Sequence, residues 1–587
     1  MAGDKTSKSD AVIAKARNAL AGGQTREALA IVERHMRGRA ADADSLHLAG
    51  SCAWRAGNKS KALEYLRKCT KLQPRVYSYL NEYARMLVLS RDNAGVGVSA
   101  EALMLRPNDP AARRSHAMIV FNGPKPTDAL PLLKEIAKAN PADGEAHAVI
   151  AALFVYLGDS QEALDAAASA EAAGVDGPEL SEVRGRALAQ LKRYGEARAH
   201  FGDALQKQPS RLLSLRGYSH CSFWLRDVEG GQKAAAAHAR LMPFERRGSA
   251  DAELKVLVGS SPGKDRLFEQ ISAEQPYLRS NYISTLRLLE VQVIAFPTSY
   301  VSAKDVVEKC GDVDLIFNDN SNAEILLQDR DAGSIAADYA ATGLPVLNPI
   351  AGCVTTSRDG NYQRFKDVSE FIFPRTERFL VGGDPALTAK AMLSSFDPPF
   401  MVRPTHTNVR GGLRVIHDAK AFIAEPALAK GMSYFAIEYY PSSYVAPDGQ
   451  EGAQHFRVAV LDGEVIPDRI CWSPGEFTTP SPDRVALKYH ERGLFDLEER
   501  FTEAPEAVLK NDPAKIFAAI IEKTDLDLFG IDFGFDAQGR IVVYEINATM
   551  LFFPTGGRLS YTPRREILRE RFDKKFLTYL RKCATRR

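Results

Sequence analysis

The chain has 587 residues, of which 45% are hydrophobic and 26% are charged, and its formal net charge is +2. The length exceeds what one ordinary core can hold and the composition is that of a globular protein, so we expect several folded domains rather than a disordered or fibrous chain. The nearly balanced charge gives no reason to expect binding to nucleic acid or to a membrane surface.

The N-terminal segment and the cysteines indicate the compartment. Residues 1–8 are predicted to be disordered, and the first residues, MAGDKTSKSDAVIAKA, contain acids and no apolar core of a signal peptide. The seven cysteines are scattered without C-x-x-C spacing, which favours reduced thiols over a disulfide framework or a zinc site. No apolar run approaches membrane-spanning length. We therefore expect a soluble, cytoplasmic protein.

A repeat of about 34 residues, the length typical of tetratricopeptide repeats, runs through residues 9–246. The helix-breaking positions of successive units are Gly23, Gly57, Asp92, Lys125, Gly158, Arg193 and Asp227. Two units carry a fuller pattern, in which Gly50 and Gly185 allow close helix packing and Leu66 and Phe201 fill the space between helices. The segment resembles about seven tetratricopeptide repeats. Such arrays usually hold a peptide or protein segment, and a structural spacer or dimerisation arm is the alternative.

After residue 250 the helical pattern gives way to short apolar runs. LKVLVGS (254–260), VQVIAFP (291–297) and DLIFND (314–319) are separated by helix-length segments, which predicts a parallel α/β domain over 250–375. The glycine-bearing GSSPG after the first run lacks G-x-G-x-x-G spacing, so it is interpreted as a turn.

The next segment, 376–560, carries polar residues at strand ends. PFMVRP is a strand that ends near Arg403, and it is followed by the polar, glycine-ending loop THTNVRGG at 405–412. YFAIEYY is a strand that carries Glu438. HFRVAVLDGEVIPDRICW predicts a hairpin with an Asp-Gly turn and an arginine on each strand, Arg457 and Arg469.

A second hairpin, LFGIDFGFDAQGRIVVYEINATM, predicts a cation site. Glu545 and Asn547 are two residues apart on one strand and therefore share a face, and the hairpin brings Asp532 opposite them. Mg²⁺ is commonly bound by one or two carboxylates together with substrate phosphates. A solvated hairpin is the alternative, but an unpartnered Glu545 among apolar neighbours would be costly. We predict Asp532, Glu545 and Asn547 as metal ligands.

Taken in order, these motifs resemble the ATP-grasp family, notably its ribosomal-protein glutamate ligase and glutathione synthetase branch. The resemblance covers residues 250–560 and implies an α/β pre-ATP-grasp domain (250–375) followed by an α+β ATP-grasp domain (376–560). With the all-α tetratricopeptide solenoid before them, the fold class is multidomain. A basic amphipathic helix is predicted over 561–587, where its apolar residues fit a docking helix.

The resemblance also implies an activity and residue roles. It implies ATP and Mg²⁺ or Mn²⁺, with Asp532, Glu545 and Asn547 as the metal ligands. The nucleotide contacts would come from Arg403, Thr405, Arg410, Gly411, Gly412, Glu438 and Tyr439. Arg457 and Arg469 would be the catalytic cations that face phosphate or an acyl phosphate, and a structural salt bridge is the alternative for Arg457.

The sequence departs from the family pattern at two of these positions. Arg403 stands where relatives usually have lysine, and it still offers a permanent charge and a bidentate fork. His455 stands where relatives often carry an acid that faces the nucleotide.

The expected function is an ATP-dependent carboxylate–amine ligase that works through an acyl phosphate. Its carboxylate and amine substrates would belong to a peptide or protein held by the repeats, with no nucleic-acid or membrane partner. The alternatives are a nucleotide-binding adaptor without catalysis and an ATP-grasp phosphotransferase.

Overall fold

A computed structural model describes residues 3–37, 41–260, 291–320, 323–328, 332–405, 413–441, 443–445, 451–474, 494–509, 512–548 and 563–585. The chain divides into two compact units, Met1–Leu225 (unit 1) and Arg226–Arg587 (unit 2). Within the described ranges, no helix is both long and apolar enough to cross a lipid bilayer.

Unit 1 is built from consecutive helices, each packed against the next. They are α1 (Gly3–Ala21), α2 (Thr25–Met36), α3 (Ala43–Arg55), α4 (Lys59–Leu72), α5 (Tyr77–Leu89), α6 (Ala94–Leu105), α7 (Pro110–Phe121), α8 (Ala129–Ala139), α9 (Gly144–Leu157), α10 (Ser160–Ala172), α11 (Pro178–Gln190), α12 (Tyr194–Lys207) and α13 (Leu212–Trp224). Residues 1–8 were predicted to be disordered, but most of them belong to helix α1. The first turns of this helix are polar, and its apolar residues begin further along the chain.

A left-handed residue recurs between the two helices of most repeats. These residues are Gly23, Gly57, Arg91, Gly158, Lys192 and Arg226, with φ between 61° and 88°. Glycine adopts this conformation without a Cβ clash, whereas arginine and lysine are strained there. In the fourth repeat a 3-10 turn, Pro126–Asp128, occupies the corresponding place. The predicted helix breaks therefore coincide with these turns to within a residue or two.

Small residues of unit 1 face large apolar side chains, as predicted. A Cβ on Gly50 would lie 2.7 Å from Leu66 Cγ, and one on Gly185 would lie 2.9 Å from Phe201 Cε1. Gly217 of α13 approaches the same ring more closely, since its Cβ would lie 2.3 Å from Phe201 Cζ. Leu66 and Phe201 are fully buried. The close helix packing of these repeats therefore requires glycine.

Unit 2 contains three sheets and the helices that cover them. Its strands are β1 (Glu245–Arg247), β2 (Leu254–Ser260), β3 (Val291–Pro297), β4 (Leu315–Asn318), β5 (Val346–Leu347), β6 (Thr376–Leu380), β7 (Phe400–Pro404), β8 (Arg414–Ile416), β9 (Ser433–Glu438), β10 (Ser443–Val445), β11 (Glu451–Leu461), β12 (Glu464–Pro474), β13 (Leu528–Phe535) and β14 (Ile541–Asn547). Its helices are α14 (Val228–Leu241), α15 (Ala303–Cys310), α16 (Ala323–Gln328), α17 (Ala332–Ala340), α18 (Ile350–Val354), α19 (Arg358–Phe365), α20 (Pro385–Ser395), α21 (Ala419–Ala424), α22 (Leu494–Glu503), α23 (Pro505–Val508), α24 (Pro513–Glu522) and α25 (Pro563–Ala584).

Sheet A has the strand order β1-β3-β2-β4-β5. Strands β2 to β5 pair in parallel, and β1 pairs antiparallel with β3 at the edge. Every residue of β3 and β4 is buried, which is typical of a sheet covered on both faces. The three apolar runs predicted as parallel strands are β2, β3 and β4.

Sheets B and C follow along the chain. Sheet C has the antiparallel order β6-β9-β7-β8, and sheet B has the order β10-β11-β13-β14 with β12 paired to β11. The predicted Asp-Gly turn joins β11 to β12, since Asp462 and Gly463 both have positive φ, 51° and 77°. The second predicted hairpin is the antiparallel pair β13–β14.

Sheets A and B are joined at Asn348, which follows β5. Asn348 is fully buried and left-handed, with φ 53°. Its Nδ2 donates to Leu528 O at 2.7 Å, and its Oδ1 accepts from the backbone N–H groups of Asp527 and Leu528 at 3.0 and 2.9 Å. One side chain thus satisfies three backbone groups at the start of β13.

Helix α25 adds a second connection between these sheets. Its Phe572 and Phe576 are buried in a core that also contains Phe317 of sheet A and Ala459 of sheet B. Helix α25 lies within the segment 561–587 that was predicted as a docking helix, and its residue Ile567 is 49% exposed rather than packed in this core. The α/β layer predicted over 250–375 is thus completed by a helix from the C-terminal end of the described chain.

Candidate functional site

Three charged residues form a row across neighbouring strands of sheet B. In the strand register Arg457 of β11 stands opposite Asp532 of β13, and Asp532 stands opposite Glu545 of β14. The side chains that alternate with them, including Phe456 and Phe533, are buried in the core on the other face. Three predicted site residues are therefore adjacent on one face of the sheet.

Two β-bulges set this register. Phe533 pairs with Val543, but the next pair is Asp532 with Glu545, so one extra residue, Tyr544, is accommodated in β14. If the pairing continued without the bulge, Asp532 would stand opposite Tyr544. A bulge inserts one residue into one strand and so changes which side chains share a face.

The second bulge lies in β12. Val458 pairs with Pro467 and Arg457 pairs with Arg469, so Asp468 is the extra residue. The same shift places His455 opposite Cys471. The two predicted arginines therefore stand opposite each other on the site face.

The Arg457–Asp532 pair is bidentate and nearly buried. Arg457 Nε lies 2.6 Å from Asp532 Oδ1, and Nη2 lies 2.6 Å from Oδ2. Burial alone would raise the pKa of Asp532, but the charge and hydrogen bonds of Arg457 outweigh it and lower that pKa to about 2. The same interaction raises the pKa of Arg457 although burial opposes it. Asp532 is therefore an anion at any physiological pH.

Glu545 has a cationic partner from outside the sheet. Arg358, the first residue of α19, places Nη2 2.9 Å from Glu545 Oε1 and donates through Nη1 to Tyr544 O at 3.3 Å. Asn547 Nδ2 also donates to Glu545 Oε1, at 3.3 Å. Both contacts use Oε1, so Oε2 has no polar partner in the part of the chain that the structure describes.

The donor set of the row is suited to a hard cation. Asp532, Glu545 and Asn547 supply two carboxylates and one amide oxygen, the ligand type that Mg²⁺ takes. No cluster of three or more His, Cys, Asp and Glu side chains suited to a metal ion occurs among the described residues, so the prediction depends on this mixed set. Both oxygens of Asp532 accept from Arg457 and one oxygen of Glu545 contacts Arg358, so a metal would compete with these arginines for the carboxylates.

His455 and Cys471 extend the site face beyond the arginines. Burial would lower the pKa of His455, but the charge of Cys471 and a hydrogen bond to it raise that pKa. For Cys471, burial would raise the pKa, but His455, followed by Arg469 and Arg457, lowers it to about 7. Each side chain therefore favours the charged form of the other.

The remaining predicted nucleotide contacts belong to sheet C. Arg403 lies near the end of β7, opposite Phe435 of β9. Thr405 is buried and its N–H donates to Ser433 O at 3.0 Å. Glu438 is exposed at the end of β9, where its Oε2 accepts from the N–H of Arg375 at 3.3 Å.

Tyr439 follows β9 and is partly buried. Arg410, Gly411 and Gly412 lie outside the described residues. The roles of these residues in nucleotide binding stay predictions.

The sequence analysis missed a charged network at the start of α19. Beside Arg358, Asp359 accepts from Arg378 of β6 at 2.9 Å through each carboxylate oxygen. Arg378 also donates to Glu324 of α16 at 2.7 Å, and the two carboxylates raise its pKa against the effect of burial. The polar SRDG sequence, with Ser357 as the helix N-cap, was the signal that could have identified this segment.

Unit 1 offers a separate candidate surface. A groove of about 620 Å³ is lined by Glu33, Met36, Arg37, Ala41, Leu46, Tyr65, Lys68, Lys71 and Leu72. The lining combines apolar side chains with three cations. Repeat arrays generally use their surfaces to hold protein segments.

Comparisons with known proteins identify the repeats. Residues 43–76 and 149–211 each match a family model described as "Tetratricopeptide repeat". The chain therefore contains tetratricopeptide repeats, as predicted, followed by a region of mixed α/β sheets. No curated protein matches the sequence.

Several solved structures are similar to parts of the chain. A tetratricopeptide repeat protein from Parabacteroides merdae ATCC 43184 is 15% identical with a TM-score of 0.31, and the match covers 36% of this chain and 82% of that one. The protein pilF of Pseudomonas aeruginosa is 16% identical with a TM-score of 0.32, covering 38% of this chain and 99% of that one. A RimK domain protein ATP-grasp from Sphaerobacter thermophilus DSM 20745 is 12% identical with a TM-score of 0.29, covering 51% and 91%.

Proposed function

We propose that the protein is an ATP-dependent carboxylate–amine ligase of the ATP-grasp type. The observation that carries this proposal is the row Arg457–Asp532–Glu545–Arg358, in which two adjacent carboxylates are each paired with an arginine on one face of sheet B. Hard oxygen ligands next to permanent cations are what a metal–nucleotide complex requires. The motif order along residues 376–560 supports the same family.

The proposed roles follow from the chemistry of each side chain. Asp532, Glu545 and Asn547 would hold Mg²⁺ or Mn²⁺, which when bound supplies positive charge to the phosphates of ATP. Arg457 and Arg469, cross-strand neighbours, would stabilise negative charge on the transferred phosphoryl group or the acyl phosphate. The adenine and triphosphate contacts would come from the residues of sheet C and from the loop 405–412.

The reaction has two steps. A substrate carboxylate oxygen attacks the γ-phosphorus of ATP, which forms an acyl phosphate and releases ADP. A neutral amine then attacks the acyl carbon and the bond from that carbon to the phosphate oxygen breaks, so that an amide forms, phosphate leaves, and the proton lost by the amine passes to phosphate or solvent. Positioning and electrostatic stabilisation supply most of the catalysis of phosphoryl transfer.

The repeats would hold the peptide or protein that carries one of the two substrates. Tetratricopeptide arrays generally mediate contacts with other proteins, and the groove between α2 and α4 offers such a surface. All seven cysteines are thiols rather than disulfides, which supports a reducing cytoplasm as the location.

The experiment compares Glu545→Gln with the wild type and with Glu451→Gln, a control on the exposed start of β11 in the same sheet. ADP formation is measured on a panel of amino acids and peptides, and Mn²⁺ binding is measured by paramagnetic resonance. We expect Glu545→Gln to lose turnover and metal affinity with an unchanged circular dichroism spectrum, and Glu451→Gln to retain both.

The other outcomes separate the alternatives. Near-wild-type turnover in Glu545→Gln would refute the metal assignment. ATP binding without ADP formation on any substrate would favour a nucleotide-binding adaptor. A stable phosphorylated product without amide formation would favour a phosphotransferase.

A further inference from the structure

A cysteine and a histidine that the proposed ligase reaction does not use form a pair on the site face of sheet B. Cys471 and His455 stand opposite each other in the β11–β12 hairpin, and each side chain shifts the pKa of the other. By solvent exposure, both residues are partly rather than fully buried among the described residues. The next cross-strand pair on this face is Arg457 with Arg469, which makes the surroundings of the thiol electropositive.

Cys471 differs from the other cysteines of the chain. Burial raises the pKa to about 11 for Cys52 and to about 12 for Cys69, Cys221 and Cys353. Cys583 is buried, and Cys310 is partly exposed at the end of α15. The thiolate is the nucleophilic form of cysteine, and a neighbouring imidazolium or arginine stabilises it.

We propose that Cys471 and His455 form a nucleophilic thiol site that reacts with small anionic disulfides. The thiolate sulfur of Cys471 attacks one sulfur of the disulfide and forms a mixed disulfide with the protein. The other half of the reagent leaves as a thiolate, which takes its proton from the imidazolium or from solvent. Arg457 and Arg469 favour an anionic reagent over a cationic one.

The proposal concerns the reactivity of a thiol and does not depend on the ligase function. The full-length protein is treated at neutral pH with dithiobis(nitrobenzoic acid), an anionic disulfide, and the released thiolate is followed by absorbance. We expect one fast equivalent, and peptide mapping should place the label on Cys471. Cys471→Ser should lose the fast phase, whereas the matched control Cys310→Ser should keep it.

His455→Gln tests the pairing. At neutral pH a pKa near 7 leaves about half of the thiol ionised, whereas an ordinary cysteine is only a few per cent ionised. In His455→Gln a smaller fraction of Cys471 is ionised, but the thiolate that remains is more basic and therefore more nucleophilic. The two effects partly cancel, so we expect the fast phase to slow about threefold or more. Arg469→Gln should slow the reaction with dithiobis(nitrobenzoic acid) more than the reaction with the cationic disulfide cystamine.

Three results would overturn the proposal. The first is labelling of Cys310 before or together with Cys471 in the wild-type protein, a measurement that needs no variant. The second is a fast phase that persists in Cys471→Ser. The third is an unchanged rate in a His455→Gln protein whose circular dichroism spectrum matches the wild type.

Discussion

Replacement of Asp532 by asparagine should destabilise sheet B strongly while changing its shape little. Asp532 has 11% of its side chain exposed and its partner Arg457 has 18%, and two hydrogen bonds of 2.6 Å join them. Asparagine keeps the volume but removes the negative charge, so the guanidinium is left nearly buried with a neutral partner. Loss of one member of a buried pair is costly because the remaining charge stays desolvated.

The magnitude follows from the pKa of Asp532. Its pKa falls from 3.8 to about 2 in the folded protein, and each unit corresponds to about 1.4 kcal/mol, so the ionised form contributes about 2–3 kcal/mol. Removing one partner of a buried ion pair typically costs about 3–5 kcal/mol. We expect the free energy of unfolding of sheet B to fall by about 2–4 kcal/mol in Asp532→Asn.

The loss also has a defined pH dependence. Because the pKa of Asp532 is lower in the folded state, its contribution is fully present above the unfolded pKa of about 4. It is lost as the pH falls through the folded pKa of about 2. The difference between wild type and Asp532→Asn should therefore be constant near neutral pH and shrink only between these two values.

Trp472 of β12 is buried and provides a local reporter of sheet B. With Trp54 and Trp224 of unit 1 replaced by phenylalanine, urea unfolding followed by fluorescence reports on the region of this residue alone. Asp532→Asn, Arg457→Gln and the double variant complete a cycle, in which the double variant should lose about 2 kcal/mol less than the sum of the single variants. A single-variant loss below about 0.5 kcal/mol, or additive losses, would refute the buried-pair argument.

Three further predictions concern backbone space and charge. Gly217→Ala should destabilise unit 1 by about 1–2 kcal/mol in thermal unfolding, because its Cβ would lie within 2.5 Å of three ring carbons; the control Gly202→Ala meets its nearest atom at 3.7 Å and should be neutral or stabilising. Gly57→Ala should destabilise unit 1 by about 1 kcal/mol through its left-handed backbone, whereas Gly97→Ala, which also has open space around it, should not; equal effects would contradict the conformational explanation. Arg358→Gln removes a cation held 2.9 Å from Glu545, the predicted metal ligand on β14. Mn²⁺ binding without nucleotide should therefore tighten severalfold in a paramagnetic resonance titration. Weaker binding would show that the arginine supports the metal.

Local patterns allowed much of the fold to be predicted. The Asp462–Gly463 turn and the alternating strands beside it depend on residues close in the chain, and their structure agrees with the prediction. The repeat positions Gly50 and Gly185 were predictable for a similar reason, because their partners lie within the same helix pair. Contacts between residues that are close in the chain produce a recurring spacing of residue types, and this spacing can be recognised in the sequence.

The candidate site was less predictable because it depends on β-bulges and on distant partners. If residues are counted back from each hairpin turn without a bulge, Asp532 pairs with Tyr544 and His455 pairs with Ile470. No residue type in the sequence indicates that Tyr544 and Asp468 are the extra residues of bulges. The Arg358–Glu545 ion pair joins segments that are far apart in the chain. A single sequence carries no signal for such a contact.

Asn348 has a consequence for the motions available to unit 2. A displacement of sheet A relative to sheet B would leave the carbonyl of Leu528 and two backbone N–H groups without partners and would open the core shared with α25. Sheet C has a core of its own, and Arg378 joins it to α16 and α19 through ion pairs that are partly exposed and can exchange with water. The contacts between sheets A and B are thus buried and hydrogen-bonded, whereas the ion pairs of Arg378 that link sheet C to the helices are partly open to solvent.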